Sequence, residues 1–196
     1  MSLPRQKSQL NDGEEAMTDL LHAPGFLGTS ANFAADMTLI LSILVGLTFT
    51  FGAWLAKRAQ SIEAKYPKTD PKFQQAKHLF RQHRWVQTTG AMINVILVLW
   101  LMLLPYRDFV VRDAGGPRES LFYVITTIHA VVGFFAFVFG NFVVLRGNNL
   151  MMPALQFNNY KPYMRIAYLA YILTTLLGVW VYFYWFTVST KPPTFG

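Results

Sequence analysis

Four long stretches of the chain contain no Asp, Glu, Lys or Arg: Met37–Ala56, Trp85–Tyr106, Ser120–Leu145 and Ile166–Thr190. Each reaches the ~20 residues that a helix rising ~1.5 Å per residue needs to cross a hydrocarbon layer ~30 Å thick. Only 14% of the 196 residues are charged and 53% are hydrophobic, whereas a soluble domain carries about 25% charged residues. A soluble fold of this length could not hide four such segments in one core. The sequence therefore predicts an all-α fold, an integral membrane four-helix bundle, with spans near Asp36–Ala56, Trp85–Leu104, Leu121–Leu145 and Ile166–Phe186.

Three regions follow: a polar N-terminal tail with a short interfacial segment over 1–33, the transmembrane domain over 34–190, and a short C-terminal tail over 191–196. Met1–Asp19 lacks helical apolar spacing, and Leu20–Gly28, with Leu21, Phe26 and Leu27, reads as interfacial. No basic start followed by an early apolar run is present, so no cleaved signal peptide is expected. The chain has no cysteine, which excludes disulfides, thiolate metal sites and a cysteine nucleophile.

Charge sits in the segments that join the spans. Lys57–Arg84 holds Lys57, Arg58, Lys65, Lys68, Lys72, Lys77, Arg81 and Arg84 against Glu63 and Asp70. Pro67 and Pro71 bracket a turn there, after which Phe73–Trp85 is expected to be helical and to run into the second span. Arg107–Glu119 is balanced and carries the turn formers Gly115, Gly116 and Pro117, while Arg146–Arg165 is basic without an acid. The positive-inside rule places the first and third connections in the cytoplasm and both termini on the other side. The expected location is the bacterial inner (plasma) membrane. The net charge of +7 then points to anionic lipid at the basic connection, or to a partner's acidic face, and not to nucleic acid.

Polar residues inside the spans are the candidates for chemistry. His129, Gly133, Ala136 and Gly140 recur at steps that share one helical face, which makes either a packing seam or a wall where His129 ligates haem or faces a quinone. His83, at the mouth of the second span after His78 and Arg81, reads as part of a solvated basic collar meeting lipid phosphates. His78 and His83 lie about 140° apart on a helix, a poor metal pair. His22 lies in the tail without an evident partner.

His83 and His129 make a poor axial pair for one haem, because helix rise and bilayer thickness leave roughly 17 Å between their heights. Asn94, ~15 Å deep, is the better match for His129 at ~13 Å, and an amide to imidazole hydrogen bond would satisfy both groups. Gln87, Thr88, Thr89 and Asn141 extend polarity towards the inner mouth. Tyr171, Thr175, Gly178 and Tyr182 recur on one face of the fourth span, completing a polar interior or knitting the bundle. Asp36 is expected to favour the first helix's N-terminus. Trp85, Tyr106, Tyr123, Tyr168 and Trp185 fall at predicted boundaries and fit interfacial anchoring.

Several of these segments carry a resemblance: His83-Arg84 running into Gln87-Thr88-Thr89-Gly90-Ala91, Thr127-Ile128-His129 with Gly133, and Asn159–Tyr182 with Tyr160-Lys161-Pro162-Tyr163-Met164-Arg165 and Gly178. Over most of Ala34–Thr187 the chain resembles the small bacterial four-helix membrane family called domain of unknown function 420. The family pattern has further histidines where this chain reads Leu104-Pro105-Tyr106-Arg107 and Tyr163-Met164-Arg165. Only His83 and His129 remain. The resemblance implies a membrane protein associated with respiratory or electron-transfer machinery.

The reading that follows is a non-catalytic accessory or assembly subunit of a bacterial respiratory or other electron-transfer complex, partnered by other membrane subunits. Short loops and the scarcity of intramembrane carboxylates motivate it. The alternative is a haem-binding or quinone-interacting electron carrier using His129, with Asn94 and His83 as further cofactor-side candidates. The cofactor stays open between those two classes, and no catalytic or metal-ligating residue is assigned. A transporter is disfavoured by the lack of an inverted repeat or broken helix, and no Walker A, Rossmann or metalloprotease pattern occurs. Because the chain is cysteine-free, single cysteines at Ser61 and Gly116 should label from opposite sides of intact membranes; labelling of both from one side would refute the topology.

Overall fold

The computed structural model describes residues 23–155 and 159–193; the tail Met1–Asp19, Leu21 and His22 lie outside them. The described chain is all α-helical apart from an isolated bridge between Pro24 and Asn32. Four helices form the bundle: α1 (Phe33–Lys65), α2 (Pro71–Val111), α3 (Ser120–Gly147) and α4 (Lys161–Val188). The four predicted spans fall inside them, and α2 joins the basic connection to the second span without a break.

Local chemistry sets the boundaries. The Asn32 side chain caps α1 by accepting from Ala35 N–H at 2.9 Å. Asp70 caps α2 by accepting from Lys72 N–H at 2.8 Å, with Pro71 in the first turn, where its missing N–H costs nothing. The helix does not stop at Leu104, the end of the predicted span, but continues through Pro105. Pro105 offers no N–H to the turn before it and its ring crowds the carbonyl four residues back. The backbone accommodates it by π-helical winding over Leu97–Met102, where Leu103 N–H reaches Val98 O, and the helix continues to Val111. The connection to α3 is thus short, and Asp113, Gly115 and Gly116 make its turn with positive φ.

The helices pair as two antiparallel hairpins, α1 with α2 and α3 with α4, joined chiefly by α1 against α4. In the first hairpin Ala59 and Ala76 are fully buried between Leu55 and Leu79. At Gly90 a methyl group would lie 2.9 Å from the Phe49 ring, so the backbones approach as closely as small residues allow. In the second hairpin Phe122 stacks on Trp185 at 4.7 Å, and Trp185 Nε1 donates to Thr126 Oγ1 at 2.9 Å. Between the hairpins, Phe49 meets Tyr171 edge-on at 4.5 Å, and Gly46 faces Tyr171 and Thr175.

What remains outside is apolar. The most hydrophobic window of α4 is only 6% buried within the bundle, and Phe134, Phe135, Ile96, Leu169 and Leu176 stand exposed. Water would not tolerate so large a continuous apolar surface, whereas lipid requires it. The protein is an integral membrane four-helix bundle.

Asp36, expected to favour the α1 N-terminus, does something more specific. It is fully buried and accepts from Phe26 N–H (2.6 Å), Leu27 N–H (2.7 Å) and the Tyr182 hydroxyl (2.5 Å). The segment leading into α1 is thereby folded back over the bundle end, and Ser30 Oγ donates to Phe186 O at 2.8 Å. A second tie is built at Glu119, which accepts from the Thr190 hydroxyl, from Thr190 N–H at 3.1 Å and from the Ser189 hydroxyl at 3.1 Å.

The Thr190 hydroxyl, followed by backbone N–H donors, holds the Glu119 carboxyl down at about 2 from 4.5. A depressed carboxylate stabilises the fold above its ordinary value and ceases to do so as pH falls through its folded value. Thermal melts in detergent should therefore place Glu119→Gln below the parent chain at neutral pH, with the gap closing as pH drops towards about 2. A gap that persists unchanged in acid would refute the assignment.

Candidate functional site

The polar residues of the spans fall into two groups. The first lies in the seam of the α1–α2 hairpin. His83, expected in a solvated collar, is instead buried, and its Nδ1 lies 2.7 Å from Gly52 O. One turn along, Gln87 Nε2 donates to Phe49 O at 3.1 Å. Gly52 makes room, since a methyl group there would sit 2.3 Å from Gln87 Nε2. Two carbonyls of α1 thus each serve a side chain of α2, which fixes the register of the hairpin.

The second group surrounds a cavity of about 940 Å³ at the end of the bundle where α1 begins, in the gap left because the hairpins join through α1 and α4. The part of α2 from Trp100 to Tyr106, which starts in the π-wound turns, forms one wall, and α1, α3 and α4 supply the others. His129 stands on the α3 wall. Its ring lies over Gly178 of α4, where a methyl group would be 3.0 Å from Cε1. Its Nδ1 is buried without a partner. Among the described residues one other buried side-chain atom is in that state, Asn32 Nδ2, and Asn32 lines the same cavity.

Asn94 and His129 do share this cavity, but the expected hydrogen bond between them does not form. Asn94 Oδ1 accepts from the Tyr171 hydroxyl at 3.3 Å, because His129 turns towards α4. Asn94 and Tyr171 also border a second cavity of about 460 Å³ nearer the basic connection, so their hydrogen bond stands between the two. His83 borders only the second, and the two histidines do not face a common space. The expected seam through Gly140 is shorter than its spacing suggested. A methyl group at Gly133 would lie 3.2 Å from Thr174 Cγ2, whereas one at Gly140 would meet nothing within 4 Å. Among the described residues no cluster of His, Cys, Asp or Glu suits a metal ion.

Thr174 and the π-wound wall escaped the sequence reading. Pro105 inside an uncharged window was the available signal for the wall; nothing in the spacing singled out Thr174. Searches of family models, curated proteins and solved structures return no match to the chain.

Chemically, the larger cavity is a largely apolar chamber with the His129 imidazole, the Asn32 and Asn94 carboxamides and the Asp108 carboxylate on its walls. A neutral imidazole carries one donor and one acceptor nitrogen, and a hydroxyl donor satisfies the acceptor. Asn32 Nδ2 is a donor and takes an oxygen acceptor. Gly178→Ala should displace the His129 ring and lower thermal stability by about 1–3 kcal/mol through overpacking, while Gly140→Ala should leave the melting temperature unchanged. Equal effects from the two substitutions would mean that His129 does not rest on Gly178.

Proposed function

We propose that the chain is a non-catalytic membrane subunit serving a bacterial electron-transfer complex, and that its larger cavity holds a lipophilic quinol or quinone. One observation carries the reading: His129 and Asn32, whose Nδ1 and Nδ2 atoms are buried without hydrogen-bond partners, both belong to the lining of the same largely apolar chamber. Buried polar atoms of a folded protein are almost always satisfied, so a pair of orphans on one cavity asks for a ligand or ordered water. A chamber of about 940 Å³ falls in the size range of small-molecule sites, which are mostly apolar with a few placed polar groups. A quinol supplies a hydroxyl for the imidazole and an oxygen for the carboxamide. Its isoprenoid tail fits an apolar wall and reaches the site through lipid.

The accessory role is supported by the family resemblance and by the broad exposed apolar exterior available to neighbouring subunits. Orientation belongs to the same proposal: the basic connection faces the cytoplasm of the inner membrane and the termini face away, as the charge asymmetry requires.

Trp100 and Trp185 border the cavity, so a short-chain quinone should quench the fluorescence of the purified protein saturably. His129→Leu should weaken that quenching by about tenfold, the scale of one hydrogen bond to a buried polar group, without loss of helicity. Non-saturable quenching, or equal affinity in the variant, would remove the reading. A Soret band that scales one-to-one with protein and is lost in His129→Leu would replace it with a cytochrome.

A further inference from the structure

The smaller cavity has a different chemistry. It lies between all four helices at the end of the bundle that carries the basic connection. Its interior is largely apolar, with Phe49, Ala91, Val143 and Val144 on its walls. Its rim holds Lys57 of α1, Arg84 of α2, and Lys161 and Arg165 of α4, all exposed. No Asp or Glu lines it, and among the described residues none of these four cations has an acidic partner.

Neutral donors reinforce the rim. Asn148, at the end of α3, donates to Thr88 Oγ1 at 2.9 Å, which holds the α3 end against α2. Tyr160 packs its ring over Gly147, where a methyl group would be 3.2 Å from the hydroxyl, and stands in the field of Arg84 and Arg146.

Four cations without partners cost energy through mutual repulsion unless an anion sits among them, and the cavity beneath them is apolar. We infer that the smaller cavity binds an anionic phospholipid, with the phosphate held by Lys57, Arg84, Lys161 and Arg165 and an acyl chain entering between the hairpins. Basic pockets between membrane helices are suited to phosphate headgroups, and the guanidinium groups of Arg84 and Arg165 can each engage two phosphate oxygens. A soluble phosphate would satisfy the rim but leave the apolar interior unused. The site is separate from the quinol chamber and does not depend on it.

The test is native mass spectrometry of the full chain in detergent, titrated with phosphatidylglycerol, with phosphatidylcholine of the same acyl chains, and with inorganic phosphate. One phosphatidylglycerol per chain should be retained in preference to phosphatidylcholine, and equimolar inorganic phosphate should not displace it. Arg84→Gln with Arg165→Gln should weaken retention by roughly tenfold or more, as expected for removal of two headgroup contacts. Lys68→Gln with Lys77→Gln, which alters the same basic connection away from the cavity, should change it by less than about twofold. Equal losses in the two double variants would mean diffuse surface attraction and overturn the site. Indifference between the two lipids would do the same, and displacement by inorganic phosphate would make the ligand a soluble anion. Both double variants change exposed side chains, and matching thermal melts establish that each is folded.

Discussion

The fold depends on how closely α1 and α2 approach. In lipid the hydrophobic effect does not draw one apolar helix to another, so association rests on packing between small residues and on interhelical hydrogen bonds. Ala59 against Ala76 and Gly90 against Phe49 supply the packing. His83 and Gln87, bonded to the Gly52 and Phe49 carbonyls, supply the bonds. Such bonds average only about 0.6 kcal/mol in membranes, with a maximum near 1.7, too little to hold the hairpin alone. Their effect is on register, because sliding one helix by a turn would leave an imidazole and a carboxamide facing apolar surroundings.

A tight first hairpin has a geometric consequence. With α1 committed to α2, the second hairpin meets the first mainly along α1 and α4, where Phe49 packs on Tyr171. Along most of their length α2 and α3 therefore stand apart, and both cavities occupy that space. The π-wound turns before Pro105 widen α2 beside the larger one. Such turns commonly sit at functional positions, and here the same residues that absorb the proline form the cavity wall.

The four spans and their pairing with short turns were legible because membrane passage demands length and the exclusion of charge, and both are explicit in Met37–Ala56 and its counterparts. The interior placement of His129 and Asn94 was legible for the same reason. Their partners were not. Spacing along a helix says which residues share a face but not how that face is rotated against a neighbour, so Asn94 was matched to His129 by depth while it bonds Tyr171. His83 misled more strongly, since Arg81 and Arg84 beside it suggested a solvated collar. On a helix those neighbours point elsewhere, and His83 faces Gly52, whose missing side chain leaves the carbonyl open. Asp36 likewise had the composition of a helix-terminal acid, and only the return of the preceding segment revealed that it gathers Phe26, Leu27 and Tyr182.

The hydrogen bond between Tyr171 and Asn94 separates two spaces of opposite chemistry. On one side are an imidazole, the Asn32 and Asn94 carboxamides and the Asp108 carboxylate in largely apolar walls without a cation; on the other, a rim of four cations without an acid. A neutral ring compound gains nothing from the charged mouth, and an anionic headgroup would lose its hydration in the larger chamber without a counter-charge to replace it. At 3.3 Å the bond is long for a hydroxyl donor, so packing of Tyr171 against Phe49 and Gly46, more than the bond itself, keeps the partition in place. The aromatic contact that joins the hairpins therefore also keeps the two chambers chemically distinct, which is what the proposed lipophilic site and the proposed anionic-lipid site require of one small bundle.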